Sequence, residues 1–237
     1  MIKEALQYIV GMKEPTINEI NGEKFSDKPL TRISTEHYAD EIHMHTLTSL
    51  VEYIKSGFDE MKGNMIVHVV SPTVVRLYST LDHDRDREIV VKVDADIPEF
   101  RFGSFMDHES FTIALQSKFI DSDDRALILK FSGTVESGTV ASYGDDGISQ
   151  KATVKTGISS KSDAIVPNPV ILRPYRTFHE VEQPASQFIF RMSDRSGEVG
   201  CAIFEADGGA WKQTAMESVK SYLKNELKDF DNYIVIS

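Results

Sequence analysis

The sequence predicts an α+β fold of largely antiparallel sheets with amphipathic helices packed on one side. Three observations carry that expectation. β-Branched runs at 65–70, 73–79 and 88–93 follow one another across short turns. A second group of strand-like segments, at 169–178, 187–192 and 198–206, reads as a meander in which Phe188, Phe190 and Met192 alternate with Gln187, Ile189 and Arg191. Between and after these groups stand segments whose apolar residues recur at helical spacing behind capping residues. At 237 residues the chain can bury a core without disulfides or metals. The expected division is an N-terminal α+β part over 1–132, a Ser/Thr/Gly-rich hairpin or connection over 133–163, and a C-terminal meander with a terminal helix over 164–237.

In chain order, Ile2, Leu6, Ile9 and Val10 place a short amphipathic helix at 2–12, with Lys3 and Glu4 turned outward. The polar stretch 13–35 has few periodic apolar residues and reads as an irregular arm. Ser49 and Glu52 form a capping-box pair, and Leu50, Ile54, Phe58 and Met61 then share a face, predicting a helix over 49–62 stopped by Gly63 and Asn64. Three strands follow, joined by Ser71–Pro72 and by the charged turn 82–87. Asp107 caps a second helix carrying Phe111, Ala114, Leu115 and Phe119, and after the polar residues 121–124 the run 126–131 reads as a strand.

From 132 to 163 small residues predominate, with a turn at Gly144-Asp145-Asp146-Gly147 between weakly alternating arms. A long hairpin and a mobile connection both fit that composition. The prolines bounding 169–178 open the meander, and Ser193-Asp194-Arg195-Ser196-Gly197 suits its hairpin turn. Trp211, Ala215, Met216, Val219, Leu223, Leu227 and Phe230 mark the longest helix, which is expected to dock on the meander, and 233–236 closes the chain as a strand.

Composition narrows the function classes. The balance of 26 basic against 37 acidic residues gives a net charge of −11, which repels a phosphate backbone at long range and argues against sequence-independent nucleic-acid binding, while leaving room for a local basic site. No apolar run approaches the ~20 residues of a spanning helix, and Glu4 and Gln7 interrupt any signal core, so a cytoplasmic protein without membrane contact is expected. The single cysteine, Cys201, reads as a small buried hydrophobe within a strand.

Chemistry-bearing constellations are weak. Asp82, His83, Asp84 and Asp86 could face a hard cation, but Arg87 and Val93 stand where a calcium loop needs Gly and Glu, and Arg85 and Arg87 neutralise the carboxylates. His43 and His45 share a strand face, with His37 and Asp40 upstream, yet this pair alone does not make up the three or four ligands of a zinc site. No Gly-x-Ser-x-Gly elbow, P-loop or Gly-x-Gly-x-x-Gly run is present. The expectation is therefore a non-enzyme with no catalytic residue, no metal and no cofactor. Partner-binding candidates are Arg173, Tyr175, Arg176, Phe178 and His179. Strand alternation would set Arg173, Tyr175 and Thr177 on one face, a cation beside an aromatic surface, with Arg176 and Phe178 on the other. The competing structural reading makes Tyr175 and Phe178 core aromatics and pairs the arginines with Glu180 and Glu182.

The layout of HMHTLTSLVEYI, STLDHDRDREIVVKV and FMDHESFTIALQSKF, followed by a Ser/Thr-rich stretch and a meander with a Pro, Tyr and Arg group, resembles the domain-of-unknown-function 2303 family, the YfdQ-like proteins of phages and prophages. The resemblance spans 42–192 and implies a phage-encoded, early-expressed protein. Two functional expectations follow. The first is a non-enzymatic protein that binds and inhibits a host defence factor in the host cytosol. The second is a recombination or replication accessory that holds nucleic acid in a local basic groove. Strand edges left without partners add an expectation of self-association.

Overall fold

The structure, a computed structural model, describes residues 2–11, 15–20, 22–28, 39–61, 63–142, 150–155, 161–165, 167–195 and 198–237. The chain divides into two units, Met1–Ala39 and Asp40–Ser237. The first holds helix α1 (Ile2–Gly11) and an antiparallel hairpin of β1 (Ile17–Ile20) and β2 (Glu23–Ser26), paired from Ile17↔Ser26 to Ile20↔Glu23. The hairpin replaces part of the irregular arm expected at 13–35. Its signal is the Asn21–Gly22 pair, which suits a two-residue turn, and Gly22 has φ +83° as such a turn requires. Thr16 and Asp27 close its open end, Thr16 N–H donating to Asp27 Oδ1 at 2.7 Å.

The second unit runs β3 (Ile42–Met44), α2 (Leu47–Ser56), β4 (Met65–Ser71), β5 (Val74–Ser79), β6 (Ile89–Asp94), β7 (Met106–Asp107), α3 (His108–Lys118), α4 (Asp123–Thr134), β8 (Val135–Ser142), β9 (Gln150–Lys155), β10 (Lys161–Ile165), β11 (Val170–Leu172), β12 (Ser186–Arg195), β13 (Glu198–Glu205), α5 (Trp211–Glu226) and β14 (Tyr233–Ile236). The fold is α+β with mostly antiparallel sheets. A five-stranded mixed sheet has the order β14-β4-β5-β6-β3, with β14 parallel to β4 and β3 parallel to β6. A four-stranded antiparallel sheet has the order β11-β12-β13-β7, and a three-stranded one the order β10-β9-β8. The small-residue stretch thus contributes strands, while the expected turn at 144–147 lies outside the described residues, as do Ser196 and Gly197 of the β12–β13 turn.

Period-two alternation explains the two cores. On the five-stranded sheet Val67, Val69, Val75, Leu77, Val91, Val93 and Val235 point one way and meet Leu47, Leu50, Val51 and Ile54 of α2 and Val219 and Leu223 of α5. On the four-stranded sheet Leu172, Phe188, Phe190, Met192, Cys201 and Ile203 pack against Phe111 and Leu115 of α3 and Ile128 of α4. Both sheets draw strands from either side of Ser132, since β14 joins β4 and β7 joins β13.

Four expectations are corrected. The helix expected at 49–62 begins at Leu47 behind Thr46, whose side chain accepts from Ser49 N–H at 3.1 Å, and ends at Gly57 in the left-handed conformation (φ 61°, ψ 18°). Phe58 therefore leaves the helical face and stands 84% exposed. The strand expected at 126–131 is the middle of α4, because Ser122 opens a helix there: its Oγ accepts from Arg125 N–H and its carbonyl from Ala126 N–H. The strand expected over 169–178 ends at Leu172. Beyond it Pro174 bridges Phe119, and Tyr175 N–H donates to Lys118 O at 3.0 Å. Finally, α5 docks on the five-stranded sheet and α2 rather than on the meander, because Val219 and Leu223 complete the core that Val67 and Val235 begin.

Candidate functional site

The residues flagged between 173 and 179 part company in the structure. Arg173 is half-exposed and pairs with Glu182 at 2.8 Å, an ion pair open to solvent. Tyr175 is half-buried, with its ring 5.3 Å from that of exposed His179. Phe178 is buried in the core under the five-stranded sheet. Arg176 is buried as well. Its guanidinium lies 4.0 Å over the Trp211 ring and donates to Glu205 Oε1 (3.1 Å), Ser186 Oγ and Pro184 O. Burial pushes its pKa down to about 10 against the pull of Asp207 and Glu205. Alternation fails here because the chain has left the sheet, so consecutive residues 176–178 all face inward. Gln183 fixes this course: its Oε1 accepts from Arg176 and Thr177 N–H, and its Nε2 donates to Thr177 and Phe178 O. Thr177 Oγ1 then donates to Pro72 O, tying the segment to the β4–β5 turn.

The other groups singled out in the sequence are occupied locally. Asp82 Oδ1 accepts from the N–H groups of Asp84 and Asp86, both at 2.8 Å, so the acidic turn is closed by its own backbone. His43 Nε2 stands 3.3 Å from Glu41, and His45 Nδ1 3.0 Å from Asp94 O. His37 lies outside the described residues. Among the described residues no three His, Cys, Asp or Glu side chains converge as metal ligands. Cys201 is fully buried, and burial pushes its thiol up to about 12, which removes the thiolate a nucleophile needs. A cleft of about 580 Å³ beside α3 includes Glu99, Asp107 and Lys118 in its lining, but Lys118 Nζ is turned onto Glu99 O (2.5 Å) and Asp107 Oδ1 onto Ser110 N–H (2.9 Å).

The surface that sequence reasoning missed is the outward face of the five-stranded sheet. With α2 and α5 on the opposite face, Ile234 and Ile236 of β14, Ile66 and His68 of β4, Arg76 and Tyr78 of β5 and Lys92 of β6 alternate with the core residues and belong to neither buried cluster. Register brings them into rows. Ile236, His68, Arg76, Lys92 and His43 stand side by side on five neighbouring strands, and the next row sets Ile234, Ile66 and Tyr78 together. Arg76 is central. Its Nη1 donates to Tyr78 Oη at 3.3 Å, its pKa is raised chiefly by that bond, and its Nε is shielded from water without an acceptor. The His68 and Tyr78 rings lie 6.3 Å apart. Side chains toward β3 have carboxylates of their own, Lys92 on Asp94 at 2.9 Å and His43 on Glu41. Toward β14 the face is apolar, with Ile234 and Ile236 51% and 42% exposed. The signal was present at 66–78 as the residues left over once Val67, Val69, Val75 and Leu77 are assigned inward. Finding it required knowing that α2 and α5 both pack on the other face.

No family model, curated protein or solved structure matches the chain.

Proposed function

We propose that this chain is a non-enzymatic binding protein whose contact surface is the open face of the five-stranded sheet, and that its partner is a protein. The observation that carries this reading is the composition of the face: Arg76 and Tyr78 at its centre beside His68, an apolar margin of Ile66, Ile234 and Ile236, and Lys92 and His43 each already beside a carboxylate. Aromatic residues and arginine with an apolar surround are the make-up of protein-contact centres, where truncating a central side chain costs far more than truncating a rim charge. Arg76, partly exposed on that face, carries guanidinium donors that a partner's carbonyl or carboxylate would take up. The resemblance of the sequence layout to YfdQ-like phage proteins favours a factor of the bacterial host as that partner, with inhibition as the consequence of occupying it.

A second reading rests on the same row. His68, Arg76, Lys92 and His43 in register, beside Tyr78, could track a single-stranded nucleic acid by charge and stacking. The paired carboxylates and the net charge of −11 weigh against it. Arg76→Ala with Tyr78→Ala, beside Arg173→Ala as a surface control, separates the two. Capture from bacterial lysate is expected to fail for the double variant and persist for Arg173→Ala, with no single-stranded or double-stranded DNA bound at moderate salt. Salt-sensitive binding of single-stranded DNA that disappears in the double variant would replace the protein reading with the nucleic-acid one.

A further inference from the structure

We infer that β14 is a docking edge for a second copy of this chain, the two β14 strands pairing antiparallel about a two-fold axis through Val235. The four outer edges of the two larger sheets are β3, β14, β11 and β7, and three of them are protected. Strand β3 is three residues long and carries the His43–Glu41 pair. On β11, Ile171 N–H is already taken by Asp124 Oδ2 of α4 at 2.6 Å. Strand β7 is two residues long and runs directly into α3. In contrast β14 reads Tyr-Ile-Val-Ile, four residues with no charge and no proline.

The phase of its ladder is set by Met65 N–H, which donates to Asn232 O at 2.7 Å. Backbone groups of 232, 234 and 236 therefore turn toward β4, and those of 233, 235 and 237 turn to the free edge. Tyr233 N–H is used internally, on Phe230 O at 3.0 Å. What remains outward is Tyr233 C=O, both groups of Val235, and Ser237 N–H. That set is complementary to itself: Val235 exchanges two bonds with Val235 of the second copy, and each Ser237 N–H reaches the other copy's Tyr233 C=O. The same register sets Ile234 opposite Ile236 of the second copy, so the exposed apolar margin of one face is covered by its own equivalent. An extended peptide from another protein would meet the backbone pattern as well; a second copy also brings the isoleucines that stand opposite Ile234 and Ile236. Pairing here shares Ile234 and Ile236 with the margin of the proposed partner surface but leaves Arg76 and Tyr78 uncovered, and the mass of the isolated chain tests it without that partner.

Light scattering coupled to size exclusion of the full chain is expected to give twice 26.6 kDa across a wide concentration range. Ile234→Lys with Ile236→Lys, at exposed positions, is expected to return the mass to 26.6 kDa with a single cooperative thermal transition that no longer depends on concentration. Ile234→Cys with Ile236→Cys tests register without disturbing charge. Oxidation should link two copies through positions 234 and 236, whereas either single cysteine should leave the chains unlinked, because buried Cys201 cannot substitute. A monomeric wild type, a dimer that survives the lysines, or a double-cysteine variant that does not link would each overturn the inference.

Discussion

At Gln183 one buried side chain answers four backbone groups, the N–H of Arg176 and Thr177 and the carbonyls of Thr177 and Phe178. Removing it strands three of them away from water, Phe178 C=O keeping Val181 N–H at 3.4 Å, and each buried unsatisfied group costs roughly 1–3 kcal/mol. Gln183→Ala should therefore lower the urea-unfolding free energy by about 3 kcal/mol or more, while Arg173→Ala, at a solvent-open ion pair, should change it by no more than about 0.5 kcal/mol. An equal effect of the two would mean that Gln183 does not hold the segment. Which residues between 173 and 179 matter was legible in the sequence; which way each one faces was not. Arg176 and Phe178 are chemically conspicuous, but alternation placed them by assuming a strand that ends six residues before Phe178. The polar anchor that turns them inward sits further along the chain, at Gln183, where no local pattern marks it.

Helix boundaries show the same division at the scale of elements. Capping chemistry located α3 at Asp107, and apolar spacing located α5, because both signals are local. For α2 two acceptable caps stand three residues apart, Thr46 and Ser49, and the structure uses the earlier one. Thr46→Ala is expected to cost about 1 kcal/mol through loss of the N-cap bond. Gly57→Ala is expected to cost about 1 kcal/mol because a left-handed residue gains a Cβ, although nothing lies within 4 Å of where that Cβ would sit. Thermal or urea unfolding of both variants checks the assignment, and a neutral Gly57→Ala would show that the helix continues toward Gly63. At α4 the run from Ala126 to Phe131 satisfies a strand count and a helix count alike. Ser122 decides between them only when its hydroxyl is seen on Arg125 N–H.

Across the whole molecule, the strands and their sequential hairpins could be read from alternation, but not how the sheets recruit distant segments. The last strand lies parallel to β4, some 170 residues earlier in the chain, and α5 reaches back to cover the same sheet, so the C-terminal helix and strand complete a core begun before residue 70. Such pairings depend on global packing that no short window of sequence contains. Their consequence bears on function: α2 and α5 both lie on one side, so neither of them packs over the row from Ile236 to His43 on the other. The most direct measurement of that central claim is photo-crosslinking in bacterial lysate from a probe amino acid at position 78, compared with the same probe at position 113 on the exposed side of α3. The account predicts a covalent adduct with a protein other than this chain from position 78 and none from position 113. Adducts of equal yield from both positions, or none from position 78 while capture by the unmodified protein succeeds, would contradict it.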